Sequence, residues 1–345
     1  MKLKKQFSDF YDEIKIDDEV EDLKEKREIL ENDLKDKLPG ELEKHNIHIN
    51  KGDIDIFDQG SYKLHTTISD DEGSIDRDVA VMFPLNITDN SDTRKIKVYV
   101  RDALKRTNRT IKIKEPCVNV SYIKDDKEWM HIDLPVYAKD GEKVYLARGK
   151  EFATEGNYSW QDADPKGLNE WLLDKINGNQ QLRRNIRYIK KWKQEEYKNS
   201  TLDHEIPPSI GLTLLAIDSF VSSTTDEGDD DLTSLQETVQ GIVDKFVLTY
   251  ENGKVVKADI TRNLPVTPYS DVFEKMRDSS ESYILKFYNR LNGVLQNLTD
   301  ACNESSEYDA GISVRKVFGN EFQVPEKQTS KSNAISKKEH NFGRR

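Results

Sequence analysis

The chain has 345 residues, with 35% apolar and 34% charged positions and a formal net charge of −11. That balance excludes tight nonspecific capture of long nucleic acid, DNA included, which needs a basic surface to neutralise phosphates. The length predicts two lobes around one cleft, and 14 Tyr, 12 Phe and 4 Trp predict packed cores under long solvated helices rather than disorder.

The N-terminal "MKLKKQFSDF" is basic but lacks an apolar core, and no run approaches the ~18 apolar residues that span a bilayer. The expectation is a soluble, cytoplasmic, monomeric protein without a membrane partner. From Asp17 to Leu38, Val20, Leu23, Leu30, Leu34 and Leu38 recur at helical spacing, with Asp17 and Asp18 as cap candidates and Pro39-Gly40 as the stop. "HNIHINKGDIDIFDQG" alternates as a strand would and ends at Gly60. His45 and His48 within it read as surface residues rather than ligands. A second strand is expected at Ile75 to Phe83 and a helix around Thr93 to Thr107. Three strands follow, in "CVNVSYI", "EWMHIDLPVYA" and "KVYLARG", joined by turns at "KDDK" and "KDGE".

After Gly149 the pattern becomes helical, in "DPKGLNEWLLDKI", "QLRRNIRYIKKWKQEEY", "PPSIGLTLLAIDSF" and the stripe Ile284, Phe287, Tyr288, Leu291, Leu295, Leu298. The acidic run Asp226 to Asp231 reads as a solvated loop. From Glu326 the chain is polar and aperiodic, as a flexible tail is. The implied division is a core over 1–155, a helical lobe over 156–325 and a tail over 326–345. Two isolated cysteines, Cys117 and Cys302, provide neither a disulfide framework nor a zinc site, so a metal would have to be held by carboxylates.

The carboxylates are the informative feature. In a strand at Ile75 to Phe83, Asp76 and Asp78 share one face opposite Ile75, Val79, Val81 and Phe83, with Arg77 as the polar exception. Alone, such a pair most often faces water near a strand end. Asp133, however, is a second lone acid opposite an apolar face, that of Ile132, Leu134 and Val136. If the two strands pair, the three acids converge as phosphoryl transfer with two metal ions requires. Gly60-Ser61, shortly before the pair, is by itself an ordinary turn; in this position it can approach a phosphate.

Gly60-Ser61, Asp76-Arg77-Asp78 and a later single Asp133 together resemble the nucleotidyltransferase superfamily related to DNA polymerase β. More narrowly, "QGSYKLHTT", "HIDLPVYA", "DPKGLNEWL", "IRYIKKWKQ", "PPSIGLTLL" and "VRKVFGNEF", in order over about Phe57 to Phe322, resemble the bacterial cGAS/DncV-like nucleotidyltransferases and the oligoadenylate synthetases. The resemblance implies an α+β fold: a mixed-sheet core, a long N-terminal spine helix and a C-terminal helical lobe. It implies that Asp76, Asp78 and Asp133 bind two Mg²⁺, with Mn²⁺ able to substitute, and that Gly60, Ser61, Lys190 and Ser209 hold the donor triphosphate. It further implies that ATP, with GTP or a pyrimidine nucleotide as co-substrate, is joined into a cyclic di- or trinucleotide that switches on a separate effector in antiphage (CBASS) defence. The alternatives are a template-independent synthase of linear oligonucleotides and a catalytically dead nucleotide-binding module. Lys190 also has a plain reading, as part of a basic helix face with Arg183, Arg184, Arg187, Lys191 and Lys193.

Overall fold

The computed structural model describes residues 2–16, 21–69, 75–124, 127–202 and 204–327. The cap candidates Asp17 and Asp18, the turn residues Asp125 and Asp126, and the expected tail beyond Lys327 lie outside them.

The chain begins with α1 (Lys4–Ile14) and α2 (Glu21–Glu43), then β1 (Asp55–Gln59), the short α3 (Gly60–Lys63), β2 (Ile75–Pro84) and α4 (Thr93–Ala103). Six strands follow: β3 (Arg109–Ile113), β4 (Val118–Lys124), β5 (Lys127–Leu134), β6 (Val136–Asp140), β7 (Lys143–Arg148) and β8 (Ser159–Asp162). The remainder comprises α5 (Pro165–Ile176), α6 (Gln180–Tyr197), α7 (Ser209–Ser219), the hairpin β9 (Thr224–Thr225) and β10 (Gly228–Asp229), and α8 (Asp231–Val243). A second hairpin, β11 (Val247–Glu251) and β12 (Lys254–Asp259), precedes α9 (Glu274–Ser279), α10 (Glu281–Asn303) and α11 (Glu307–Phe318).

Strands β1 to β8 form one mixed sheet. Its central strand, β2, runs parallel to β5 and β6 and antiparallel to β1. Leu23, Leu30, Leu34, Leu38 and Leu42 of α2 are fully buried in one core with Val79, Val81 and Phe83 of β2 and Ile96 and Val100 of α4. That packing carries α2 through Pro39 to Glu43, correcting the expected stop at Pro39-Gly40. Burying Leu38 and Leu42, at roughly 1.5–3 kcal/mol each, offsets the ~3 kcal/mol that an interior proline costs.

The other departures have local causes. The strand expected through Gly60 is confined to Asp55–Gln59, because Asn50 and Asp53 bond reciprocally and close a 3₁₀ turn before it. The strand expected over "EWMHIDLPVYA" is two strands, since Pro135 has no N–H for the ladder. α4 ends at Ala103 rather than near Thr107, and Arg106 and Arg109 turn back to bond Asp33 (2.6 and 2.7 Å) as β3 begins. The helical half also contains two hairpins.

The acidic run is not simply a solvated loop. Asp230 caps α8 by accepting from Thr233 N–H, and Asp231 is buried. It accepts from Arg184 Nε and Nη2 (2.6 and 2.8 Å) and from the Tyr188 hydroxyl (3.0 Å). Asp231→Ala is expected to cost about 3 kcal/mol in denaturant unfolding, because it removes the buried carboxylate that accepts from Arg184 and Tyr188 and leaves them only Asp229 and the Phe7 carbonyl.

A second core is built from the helical half together with α1. Phe7 and Phe10 of α1 pack on Tyr188 of α6 and on Phe318 and Phe322, with Phe10 and Phe318 centroids 4.7 Å apart. Thus α1 joins the helical core although it is first in the chain, and the sheet continues past residue 155 to Asp162. The cleft lies where the two cores face each other.

Candidate active site

The register of β2 against its neighbours sets the site. Asp76 stands opposite His131 and Asp78 opposite Asp133 on β5, while Gln59 of β1 lies opposite Asp78 on the other side. Because successive side chains alternate faces, Arg77 points away from the acids and is 4% exposed. It donates from Nε and Nη2 to both carboxylate oxygens of Asp58 (2.9 and 3.0 Å), and its guanidinium lies 3.9 Å from the Tyr62 ring centroid. The polar exception in the sequence pattern is therefore a buried clamp between β1, β2 and the turn after β1.

That turn begins at Gly60, whose φ of +64° is disfavoured for residues with a Cβ. A Cβ there would also sit on the Asp78 carboxylate, 2.9 Å from its Cγ. Glycine is required by backbone angle and by contact alike. Ser61 follows, and its Oγ accepts from Thr67 Oγ1 (3.2 Å).

All seven residues singled out from the sequence, Gly60, Ser61, Asp76, Asp78, Asp133, Lys190 and Ser209, line one cavity of about 640 Å³ between the cores. Burial and the neighbouring Asp133 and Asp76 carboxylates push Asp78 up to about 7. Asp133 accepts from Asn119 Nδ2 (2.6 Å) and, more weakly, from Lys114 Nζ (3.5 Å). Lys190, also buried, donates to Thr66 O and Oγ1 (3.0 Å each). Burial and the charges of Lys193 and Arg187 lower it to about 7.

An all-oxygen donor set in which burial and the neighbouring carboxylates disfavour ionisation of Asp78 fits a hard divalent cation, since a cation reverses that penalty. Among the described residues, no three acidic, His or Cys side chains form a group able to hold one ion together. Each ion would take at most two of Asp76, Asp78 and Asp133 and complete its shell with water and phosphate oxygens, as magnesium does.

Several lining residues carried no role in the sequence reading. Lys193 is chief among them: its Nζ donates to Ser209 Oγ (2.6 Å), and burial lowers it to about 8. It lies three residues after Lys190, on the same helix face, a spacing visible in the sequence. Tyr137, which donates to Gln59 Oε1 (3.2 Å), and Asn169, which donates to Asp58 O (3.1 Å), also line the cavity. Their roles depend on partners from distant segments. The basic face expected on α6 is dispersed around the helix: Arg184 pairs with Asp229 and Asp231, Lys191 with Glu321, and Lys190 and Lys193 enter the cleft.

This sheet, its acids and the helical lobe across the cleft define a nucleotidyltransferase fold. Residues 54–137 match the family described as "Cyclic GMP-AMP synthase DncV-like, nucleotidyltransferase domain", so the chain carries a DncV-like nucleotidyltransferase domain there. No curated protein matches the sequence. Over 95% of its length the chain superimposes on all of the Vibrio cholerae DncV cyclic AMP-GMP synthase, in complex with nonhydrolyzable GTP, at 17% identity and a TM-score of 0.68. The same enzyme with the linear intermediate 5′ pppA(3′,5′)pG matches at 17% identity and a TM-score of 0.63, over 92% of this chain and 96% of that one. Escherichia coli DncV in its 3′-deoxy GTP bound form matches at 15% identity and a TM-score of 0.62, over 90% and 93%. The resemblance read from the motifs is borne out by the domain match and by the α+β fold.

Proposed function

We propose that the chain is a magnesium-dependent nucleotidyltransferase that joins ribonucleoside triphosphates into a cyclic di- or trinucleotide. The product would act on a separate effector in antiphage (CBASS) signalling in the cytoplasm. The observation that carries this reading is a single cavity holding Asp76, Asp78 and Asp133 on one wall and Lys190 and Lys193 on the other, with Gly60-Ser61 beside the acids. Opposed acidic and cationic walls suit a metal-bound triphosphate.

Ser61, Lys190, Lys193 and Ser209 hold the donor triphosphate, and Gly60 leaves room for it next to Asp78. Asp133 accepts the proton of the acceptor ribose hydroxyl. That oxygen bonds to the donor α-phosphorus, the bond to the β-phosphate bridging oxygen breaks, and pyrophosphate leaves. Repeating the step within the linear product closes the ring. Asp76, Asp78 and Asp133 would hold magnesium, which when bound would supply charge neutralisation on the phosphates and lower the pKa of the hydroxyl.

The test is incubation with all four labelled triphosphates and Mg²⁺, phosphatase treatment and mass spectrometry. A phosphatase-resistant product lost in Asp76→Asn is expected. Only phosphatase-sensitive oligomers would show a linear synthase, and no consumption of triphosphate at all would show a binding module.

A pH dependence follows from the same groups. Lys193 loses its proton near 8 and Lys190 near 7, while Asp78 gains negative charge near 7. All three changes repel a polyphosphate as pH rises. Without divalent cation, triphosphate affinity is therefore expected to fall between pH 6 and pH 9 by about tenfold or more. Affinity that is flat with pH in equilibrium binding would remove Lys190 and Lys193 from the triphosphate site.

A further inference from the structure

The sheet face that carries the acids continues beyond them. Asp133 of β5 stands opposite Asp78 on β2 and opposite Asn119 on β4, and Gln59 of β1 stands opposite Asp78, so Asn119, Asp133, Asp78 and Gln59 form one row across four strands. A second row, two residues along, sets Ser121 opposite His131 and His131 opposite Asp76. On β4 the alternate side chains Val118, Val120 and Tyr122 enter the apolar core, which turns Asn119 and Ser121 to the face of the acids. Both are polar, yet Asn119 is 2% and Ser121 1% exposed. Such burial demands hydrogen-bond partners.

The partners run toward Asp133. Asn119 Nδ2 donates to Asp133 Oδ1 (2.6 Å), and the Ser121 hydroxyl donates to Asn119 Oδ1 (3.3 Å) and lies 3.2 Å from His131 Nδ1. This order fixes the amide: with Oδ1 engaged by the hydroxyl, Nδ2 faces the carboxylate, whereas a flipped amide would set oxygen against oxygen. A charge-assisted bond from a buried donor is short and directional, so it fixes rotation of the Asp133 carboxylate about its Cβ–Cγ bond. The neighbouring donors are looser. Lys114 comes only to 3.5 Å of Oδ1, from a side chain 49% exposed, and the buried Cys117 thiol, which the Asp133 charge helps to keep protonated, is a weak donor. Asp133 lines the catalytic cavity and Asn119 does not, so the amide acts on bound nucleotide only through the acid.

We infer that Asn119, oriented by Ser121, is the positioning residue for Asp133: it holds the carboxylate in the rotation from which it serves the acceptor hydroxyl and the metal. The inference rests on the catalytic reading of Asp133 proposed above. Without the amide the carboxylate turns away from that rotation, and a misplacement of about 1 Å costs roughly a hundredfold in rate.

The test is steady-state kinetics of pyrophosphate release by the full chain with all four triphosphates and Mg²⁺. Asn119→Ala is expected to lower kcat at least about tenfold and to leave KM for triphosphate within about twofold of native, because the amide acts on the acid and not on the substrate. Asn119→Asp keeps the shape but exchanges the donor for an acceptor, and should lose as much; a role in packing alone would leave it near native. Ser121→Ala should show the same split at smaller amplitude. It removes only a hydroxyl and carries the comparison if thermal unfolding shows that Asn119→Ala does not fold. Independently of turnover, Asn-selective ¹⁵N labelling gives the Asn119 side-chain amide resonance, assigned by its disappearance in Asn119→Asp, and that resonance should move in Asp133→Ala. Native kcat in folded Asn119 and Ser121 variants, a rise in KM at constant kcat, or an amide resonance unmoved by Asp133→Ala would each overturn the inference. No consumption of triphosphate by the native chain would instead overturn the catalytic reading, and the positioning role with it.

Discussion

Asp78→Asn is expected to abolish product, by about a thousandfold or more, while making the ligand-free protein more stable. The loss follows from removing a central carboxylate of the proposed phosphoryl-transfer site. The gain follows from the geometry of β2, where Asp78 is enclosed and faces Asp133 across the ladder with Asp76 two residues away. Its pKa is raised from 3.8 to about 7. The folded state therefore prefers the protonated carboxyl, and ionisation destabilises it progressively as pH rises from about 4 to 7, with the full penalty present above 7. An uncharged asparagine escapes that penalty. Thermal unfolding at pH 8 should show the variant more stable by on the order of 2 kcal/mol, and the difference should shrink as pH falls toward 4. Added Mg²⁺ should stabilise the native protein more than the variant. A variant less stable than native at pH 8 would mean that the acids already have a compensating partner within the protein.

Gly60→Ala is expected to have the second largest effect, by a different route. The added methyl must adopt φ +64°, at a cost of about 1–2 kcal/mol, and it collides with the Asp78 carboxylate. Either the turn after β1 or the acid must move. A displacement of about 1 Å in a phosphoryl-transfer site costs roughly a hundredfold in rate, so activity should fall by at least that factor in a protein that still folds. Relief is expected in the double variant Gly60→Ala, Asp78→Ala for stability, because the atoms the methyl collides with are removed, but not for activity. Full activity in Gly60→Ala would show that the turn is mobile enough to make room and does not position the acid.

Much of the architecture was legible along the chain. Strand β2 announced itself by alternation, with acids on one face and Val79, Val81 and Phe83 on the other. The helical stripe of α10 and the apolar pattern of α2 follow from periodicity that packing then used. Boundaries were less legible where long-range burial overrode a local signal, as with Leu42 carrying α2 through Pro39, or where a single missing N–H at Pro135 divided a strand. The acidic run misled for a related reason: a charge reads as solvated until its partner is known, and Arg184 lies 47 residues from Asp231.

By itself the sequence determined which side chains are available for chemistry and on which face of its own element each stands, since those depend only on residue type and the periods of strand and helix. It also supplied a glycine at position 60, where the turn after β1 has positive φ. Only the tertiary structure decided that Asp133 lies between Asp78 and Asn119, and that Lys193 joins Lys190 in the cleft. Those arrangements depend on strand pairing and on the packing of α6. Both are long-range contacts whose energies come from burial in the assembled cores and leave no local trace in the residues that make them.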